Sequence, residues 1–209
     1  MNARSATETP RRRLSAEKRR AEILDAAGEV FAEAGFAAAS IDRIAEAAGI
    51  SPPVIYDHFA SKQELFVAVM EDARDELTAR GARTMGADAP VEARVHAGVE
   101  AFFAYVEEKP AAARVLLVTH RGTPELQEAA SRVQTEASAR LVALLAAERE
   151  LFAGAPDRER RLGLFVEFLK QGMHGLAEWW TAHPDVPRAV LVEAVTEIAW
   201  SGLRAGFES

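Results

Sequence analysis

Two adjacent prolines, Pro52 and Pro53, stand near the head of the segment GISPPVIYDHFASKQELF over 49–66, whose later apolar residues recur at helical spacing. Proline lacks an N–H and holds φ at about −65°, so inside a helix it removes a bond and clashes with the preceding turn. At the first helical positions neither cost arises, because those N–H groups have no intrahelical partner. The prolines therefore fix a helix start, with Ser51 as the expected N-cap. Ile50 and Ile55 sit at N′ and N4, the spacing of a hydrophobic staple that sets the entry angle.

The stretch before it reads as another short helix. Ser40 is a good N-cap, Ile41, Ile44, Ala45 and Ala48 make the buried face, and Gly49 ends it after about eight residues, too few to persist alone. A short helix, a tight turn containing Gly and a second short helix describe a helix-turn-helix over about 40–59. Upstream, Ile23, Leu24, Ala27, Val30, Phe31 and Ala34 share one face of a helix over 17–34, with Gly35 as a left-handed end and Phe36 closing it. Downstream, Ser61-Lys62-Gln63-Glu64 is a capping box opening a long fourth helix.

The rest of the 209 residues also reads as helix, with no segment of β-type alternation bounded by hairpin turns. Gly- and Ala-rich chain over 81–90 is a plausible break. Further helices are expected near 91–108, 111–120, 124–151, 157–182 and 188–206, separated by Gly/Pro punctuation. The expected organisation is a basic arm over 1–16, a helix-turn-helix domain over 17–77 and a larger helical domain over 78–209.

Charge follows the same division. Residues 1–62 carry nine Lys/Arg and nine Asp/Glu, so the whole net charge of −7 falls on 63–209. Arg4, Arg11, Arg12, Arg13, Lys18, Arg19 and Arg20 crowd the first twenty residues. A basic arm, a neutral segment and an acidic body place a polyanion contact at the N-terminal end. The absence of cysteine excludes disulfides and thiolate metal sites and fits a reducing cytoplasm. No run of eighteen uninterrupted apolar residues suggests a membrane span, and the Arg-rich N-terminus lacks the apolar segment of a secretory signal.

Over about residues 17–77 the chain resembles the TetR family of bacterial transcription regulators. The resemblance rests on Ile23–Ala27, Phe31, Gly35-Phe36, Ser40, Ile44-Ala45, Ala48-Gly49-Ile50-Ser51, Ile55-Tyr56, His58-Phe59, Ser61-Lys62 and Leu65. It implies that the helix at 52–58 enters the DNA major groove, with Ser40, Ser51, Tyr56 and Lys62 at backbone phosphates. Pro53, Val54 and Asp57, together with Pro52 and His58, are left to face the bases. Here the sequence departs from the family's pattern, in which position 53 is often Gly and position 54 often carries a hydroxyl. Val54 fits a thymine methyl; Asp57 either accepts from a cytosine amino group or sits idle. The arm residues Arg11, Arg12, Arg13, Arg19 and Arg20 would track phosphates or the minor groove.

The C-terminal helices are too apolar for one wet face. Leu162, Phe165, Leu169, Gly172, Leu176 and Trp179 form one stripe, Leu164, Phe168, Gly175 and Trp180 lie off it, and Leu191, Val195, Ile198 and Gly202 mark the next helix. A helix apolar on more than one side needs more than one partner. The resemblance implies a four-helix homodimer interface from these two helices, expected at Leu162, Phe165, Leu169, Leu176, Trp179, Leu191, Val195, Ile198 and Gly202. A pocket for a largely apolar, unidentified effector is expected among Phe102, Phe103, Tyr105, Leu116, His120, Phe165, Phe168, Met173, His174 and Glu178.

Catalysis finds no support. The histidines at 58, 96, 120, 174 and 183 lack metal-ligand spacing, and no nucleophile elbow, phosphate loop or dinucleotide fingerprint is present. No cofactor, metal or membrane partner is expected. The sequence thus describes an all-α, non-enzymatic DNA-binding regulator, most simply a repressor released from a palindromic operator by a small molecule. The alternative is a constitutive or nucleoid-associated DNA-binding protein without a ligand switch.

Overall fold

The computed structural model describes residues 15–84, 89–117 and 123–207. Among them are nine helices and no strand: α1 (Ala16–Ala38), α2 (Ile41–Ala47), α3 (Pro52–Tyr56), α4 (Lys62–Thr84), α5 (Val91–Glu108), α6 (Pro110–Leu117), α7 (Pro124–Ala146), α8 (Arg158–Thr181) and α9 (Arg188–Phe207). No helix among the described residues is long and apolar enough to cross a membrane.

Along α1, Ile23, Leu24, Ala27, Val30 and Phe31 are buried on one face, as their spacing requires. The end expected at 34 is a kink instead. Gly35 takes φ 73° and ψ 164°, one more turn follows, and the Ala39 N–H still reaches Gly35 O at 3.1 Å. Phe36, just past the kink, meets Phe66 of α4 edge-on at 5.2 Å, and Phe31 meets the same ring at 4.9 Å. This aromatic cluster fastens the end of α1 to α4.

α2 and α3 have only seven and five residues, so packing must hold them. Ile44 and Ile55 are completely buried. Each such side chain contributes roughly 1.5–3 kcal/mol on burial. α4 opens on the expected box: the Glu64 N–H donates to Ser61 Oγ at 3.0 Å, and Glu64 Oε2 accepts from Ala60 N–H at 2.8 Å.

α4 is the spine of the molecule. The domain boundary expected after residue 77 falls inside it, since α4 continues to Thr84. It packs against α1, α5, α6 and α7. Arg74 bonds Glu136 of α7 at 2.7 Å; Arg80 bonds Glu108 of α5 at 2.6 Å, and Glu76 bonds Lys109 at 2.6 Å. One apolar core runs from Ile23 of α1 to Val195 of α9, and a smaller one surrounds Leu151, Leu162 and Leu203.

α7 stops at Ala146, short of the expected 151. The guanidinium of Arg158 takes the freed carbonyls, donating to Ala146 O at 3.1 Å, Glu148 O at 2.8 Å and Leu151 O at 2.8 Å. Phe152, at φ 56°, donates its N–H to Gly206 O of α9 at 2.7 Å. A compact turn thereby tucks Leu151 into the smaller core. α6 ends its described course at Leu117, and the expected extension to 120 lies outside the described residues.

Candidate nucleic-acid interface

The α2–turn–α3 unit is assembled from local chemistry. Ser40 caps α2, its Oγ accepting from Arg43 N–H at 3.2 Å. Gly49 turns the chain at φ 64°, a conformation that costs other L-residues roughly 1–2 kcal/mol. α3 begins at the two prolines, as their chemistry demands. Ser51 holds the N-cap backbone conformation, but its side chain makes no cap bond, contrary to expectation. The reason is the prolines themselves. The second helical position has no N–H to offer, and the Val54 N–H goes to Ser51 O at 3.0 Å.

Ile55 points inward, so the rest of this one-and-a-half-turn helix is displayed. Pro53 and Asp57 are exposed, as are Ser40 and Ser51, and Tyr56 is 54% exposed. Pro52, Val54 and His58 are half-buried around this rim. The structure thus sets Ser51, Pro52, Pro53, Val54, Tyr56, Asp57 and His58 on one short helix and its flanks, with Ser40 at the cap of α2. Lys62 differs. Its Nζ turns toward the protein, donating to Phe36 O at 2.8 Å and Ala39 O at 2.9 Å.

Of the expected arm cations, Arg11, Arg12 and Arg13 lie outside the described residues. Arg19 pairs with Glu22 at 2.9 Å, and Arg20 lies over the Phe59 ring at 4.8 Å. Arg43, passed over in the sequence, stands in the first turn of α2 and bonds Glu33 at 2.6 Å. A cation there opposes the helix dipole. That mismatch was the available sign that Arg43 answers to something besides its own helix.

Among the residues expected at a pocket, Phe102 stacks on His174 at 6.0 Å with the rings 10° apart. Phe103 meets Phe102 edge-on at 5.1 Å and Trp180 at 6.0 Å. Burial, and then the Lys170 charge one turn away, lower the His174 pKa to about 4, so its ring is neutral near pH 7. Lys170 is itself 91% buried, its ammonium bonded to Glu167 at 3.0 Å and to Ser138 of α7. Trp180 and this ammonium stand beside the expected residues without having been among them; a lysine at an apolar helix position was the signal for the second. Leu116 is also buried and Met173 half-buried. Tyr105 faces α4 instead, under Arg80 at 5.3 Å, and burial together with Glu76 and Asp72 holds its hydroxyl protonated. His120 lies outside the described residues. A surface cleft of about 530 Å3 between α1, α4 and α7 is lined by Arg20, Gln63, Glu71, Glu128 and Arg132, with none of the expected pocket residues among them.

Residues 23–69 match the family model described as "Bacterial regulatory proteins, tetR family". The transcriptional activator FasR of Mycolicibacterium smegmatis is 31% identical over 191 residues, covering 91% of this chain and 85% of FasR. The chain belongs to the TetR family. The transcriptional regulator EthR of the same organism is 35% identical over 164 residues, 75% of this chain and 74% of EthR. The fold extends to the regulator FadR of Bacillus subtilis, solved with stearoyl-CoA, at a TM-score of 0.74 and 18% identity over 87% of this chain and 98% of that one. The chain is thus a helix-turn-helix transcriptional regulator.

In this TetR-family protein the residues expected at the dimer face and the pocket divide, on α8 and α9, between the protomer's core and its surface. Leu162, Leu191 and Val195 are buried within the protomer at 1–6% exposure, and Leu169 and Leu176 are half-buried against its core. Phe165 packs over Gly202, whose absent Cβ would lie 3.3 Å from its ring. The apolar side chains left facing outward are Leu164, Phe168, Trp179, Val190 and Ile198. Phe168, 73% exposed, therefore lines no pocket within the protomer, and Glu178 is exposed as well. Both faces of α8 are apolar; the chain's own core takes the fuller stripe, and the other remains bare.

Proposed function

We propose that two copies of this regulator bind a palindromic operator and block transcription by occupying it, and that a largely apolar small molecule with a polar end releases them. The observation that carries this reading is the α3 surface: Ser51, Pro53, Tyr56 and Asp57 displayed on a helix anchored from behind by Ile55. A single helix of that length reads few bases, so useful specificity needs two. The bare apolar face of α8 and α9 offers the means of pairing. In this reading Val54 contacts a thymine methyl, Asp57 accepts from a cytosine amino group, and Ser40, Ser51 and Tyr56 hold phosphates.

The effector is proposed to be a long-chain acyl compound. Phe102, Phe103, Met173 and Trp180 supply an apolar bed, and the neutral His174 ring supplies a polar group for a carbonyl end, the Lys170 ammonium being already bonded to Ser138, Glu167 and Gln134 O. The stearoyl-CoA bound by the B. subtilis FadR is of that class. FasR is named an activator; the same release would switch an activator off, and the sign follows from where the operator lies.

The test is a fluorescence-anisotropy titration of the full-length protein on its operator duplex, with stearoyl-CoA, stearate and free CoA added separately. Release by an acyl ligand and none by CoA alone is the expected result. Unchanged operator affinity with all three would discard the acyl effector and favour the constitutive reading.

A further inference from the structure

The Lys62 ammonium sits where three segments meet. Its Nζ donates to Phe36 O at 2.8 Å and Ala39 O at 2.9 Å, lies 3.5 Å from Ala37 O, and stands 4.5 Å above the Phe36 ring. An ammonium has three N–H donors, and all three are directed at the protein. Phe36 and Ala37 lie in the turn that follows the Gly35 kink of α1, where carbonyls lack intrahelical partners. Ala39, only 4% exposed, directly precedes Ser40, the cap of α2. Lys62 itself is the first residue of α4.

One side chain therefore joins the end of α1, the start of α2 and the start of α4. α4 is in turn held by α7 and α5 through the Arg74–Glu136, Arg80–Glu108 and Glu76–Lys109 pairs. We propose that Lys62 acts in DNA binding as a positioning residue that fixes the start of α2 against α4, and not as a phosphate contact. The inference rests on the DNA-binding reading above.

The experiment compares full-length wild type, Lys62→Met and Lys62→Arg on the operator duplex across salt concentrations. Each is measured below its melting temperature, with active fraction set by stoichiometric titration. Each phosphate neutralised contributes about 0.9 to the slope of log affinity against log salt. A positioning residue leaves the slope of the Met variant at the wild-type value while binding weakens roughly tenfold, the scale of a lost charge-assisted bond. The Arg variant keeps the charge, but its planar fork does not match a cradle of converging carbonyls, so it is expected to bind as weakly.

A slope smaller by about one unit for the Met variant, or full recovery with Arg, an able phosphate binder, would overturn the proposal. So would wild-type affinity in both variants, which would leave Lys62 a stabilising contact only. Wild-type protein whose binding does not respond to salt would instead refute the DNA-binding reading itself, so the two failures are distinguishable.

Discussion

His174 shows how one side chain ties burial to pH. Its pKa falls to about 4 in the folded chain, against an ordinary value of 6.5, because burial and then Lys170 disfavour the imidazolium. Between those two values the unfolded chain binds a proton that the folded chain refuses, so stability drops as pH falls from about 6.5 toward about 4. Above that window this histidine contributes no pH dependence. A His174→Phe variant keeps a ring against Phe102 and removes the proton site. Urea midpoints measured at pH 7 and pH 5 are expected to differ less in the variant than in wild type. Equal differences would contradict the assignment. The oddity of His174 in an apolar run was visible in the sequence, but its stacking on Phe102 was not, because that contact crosses from α5 to α8.

At the scale of elements, most of the architecture was legible, and the early end of α7 was not. The two prolines, the Ser40 cap, the Ser61–Glu64 box and Gly49 are short-range devices, and each placed its helix end within a residue or two. Gly35 breaks α1 at the positive φ expected of it, though a further turn follows; the early end of α7 depends on partners far along the chain, Arg158 and Gly206. Helical periodicity over 147–151 suited a longer α7 equally well, and the Arg158 guanidinium together with the Phe152 to Gly206 bond decides otherwise. Arg158→Met would leave Ala146 O and Leu151 O without their donor, while Glu148 O keeps the Leu151 N–H at 3.1 Å. A loss of about 1–3 kcal/mol is expected, read as a lower urea midpoint, with the α2–α3 unit intact by DNA affinity per folded molecule. A midpoint matching wild type would mean that water caps these carbonyls as well as arginine does.

At the scale of the whole molecule, the apolar stripe was the harder feature to read. Periodicity marked both faces of α8 as apolar but could not rank them. Packing assigns Leu162, Leu191 and Val195 to the protomer's own core and leaves Leu164, Phe168, Trp179 and Ile198 outside. If that bare face pairs two copies, Phe168→Glu with Ile198→Glu is expected to sediment as a folded monomer and to bind the operator at least tenfold more weakly, roughly the loss of one shared contact worth about 1.4 kcal/mol. A dimer that survives both charges would move the interface elsewhere.

The most direct test of a paired reading head is selection of bound sequences from a random duplex library by the full-length protein. Two copies of α3 related by a two-fold axis require a palindrome whose half-sites are centred about 34–36 Å apart, or a multiple of that spacing. Enrichment of such a site, with affinity falling steeply as salt rises, is the expected result. Enrichment of a single unrepeated half-site, or of no sequence at all, would contradict it.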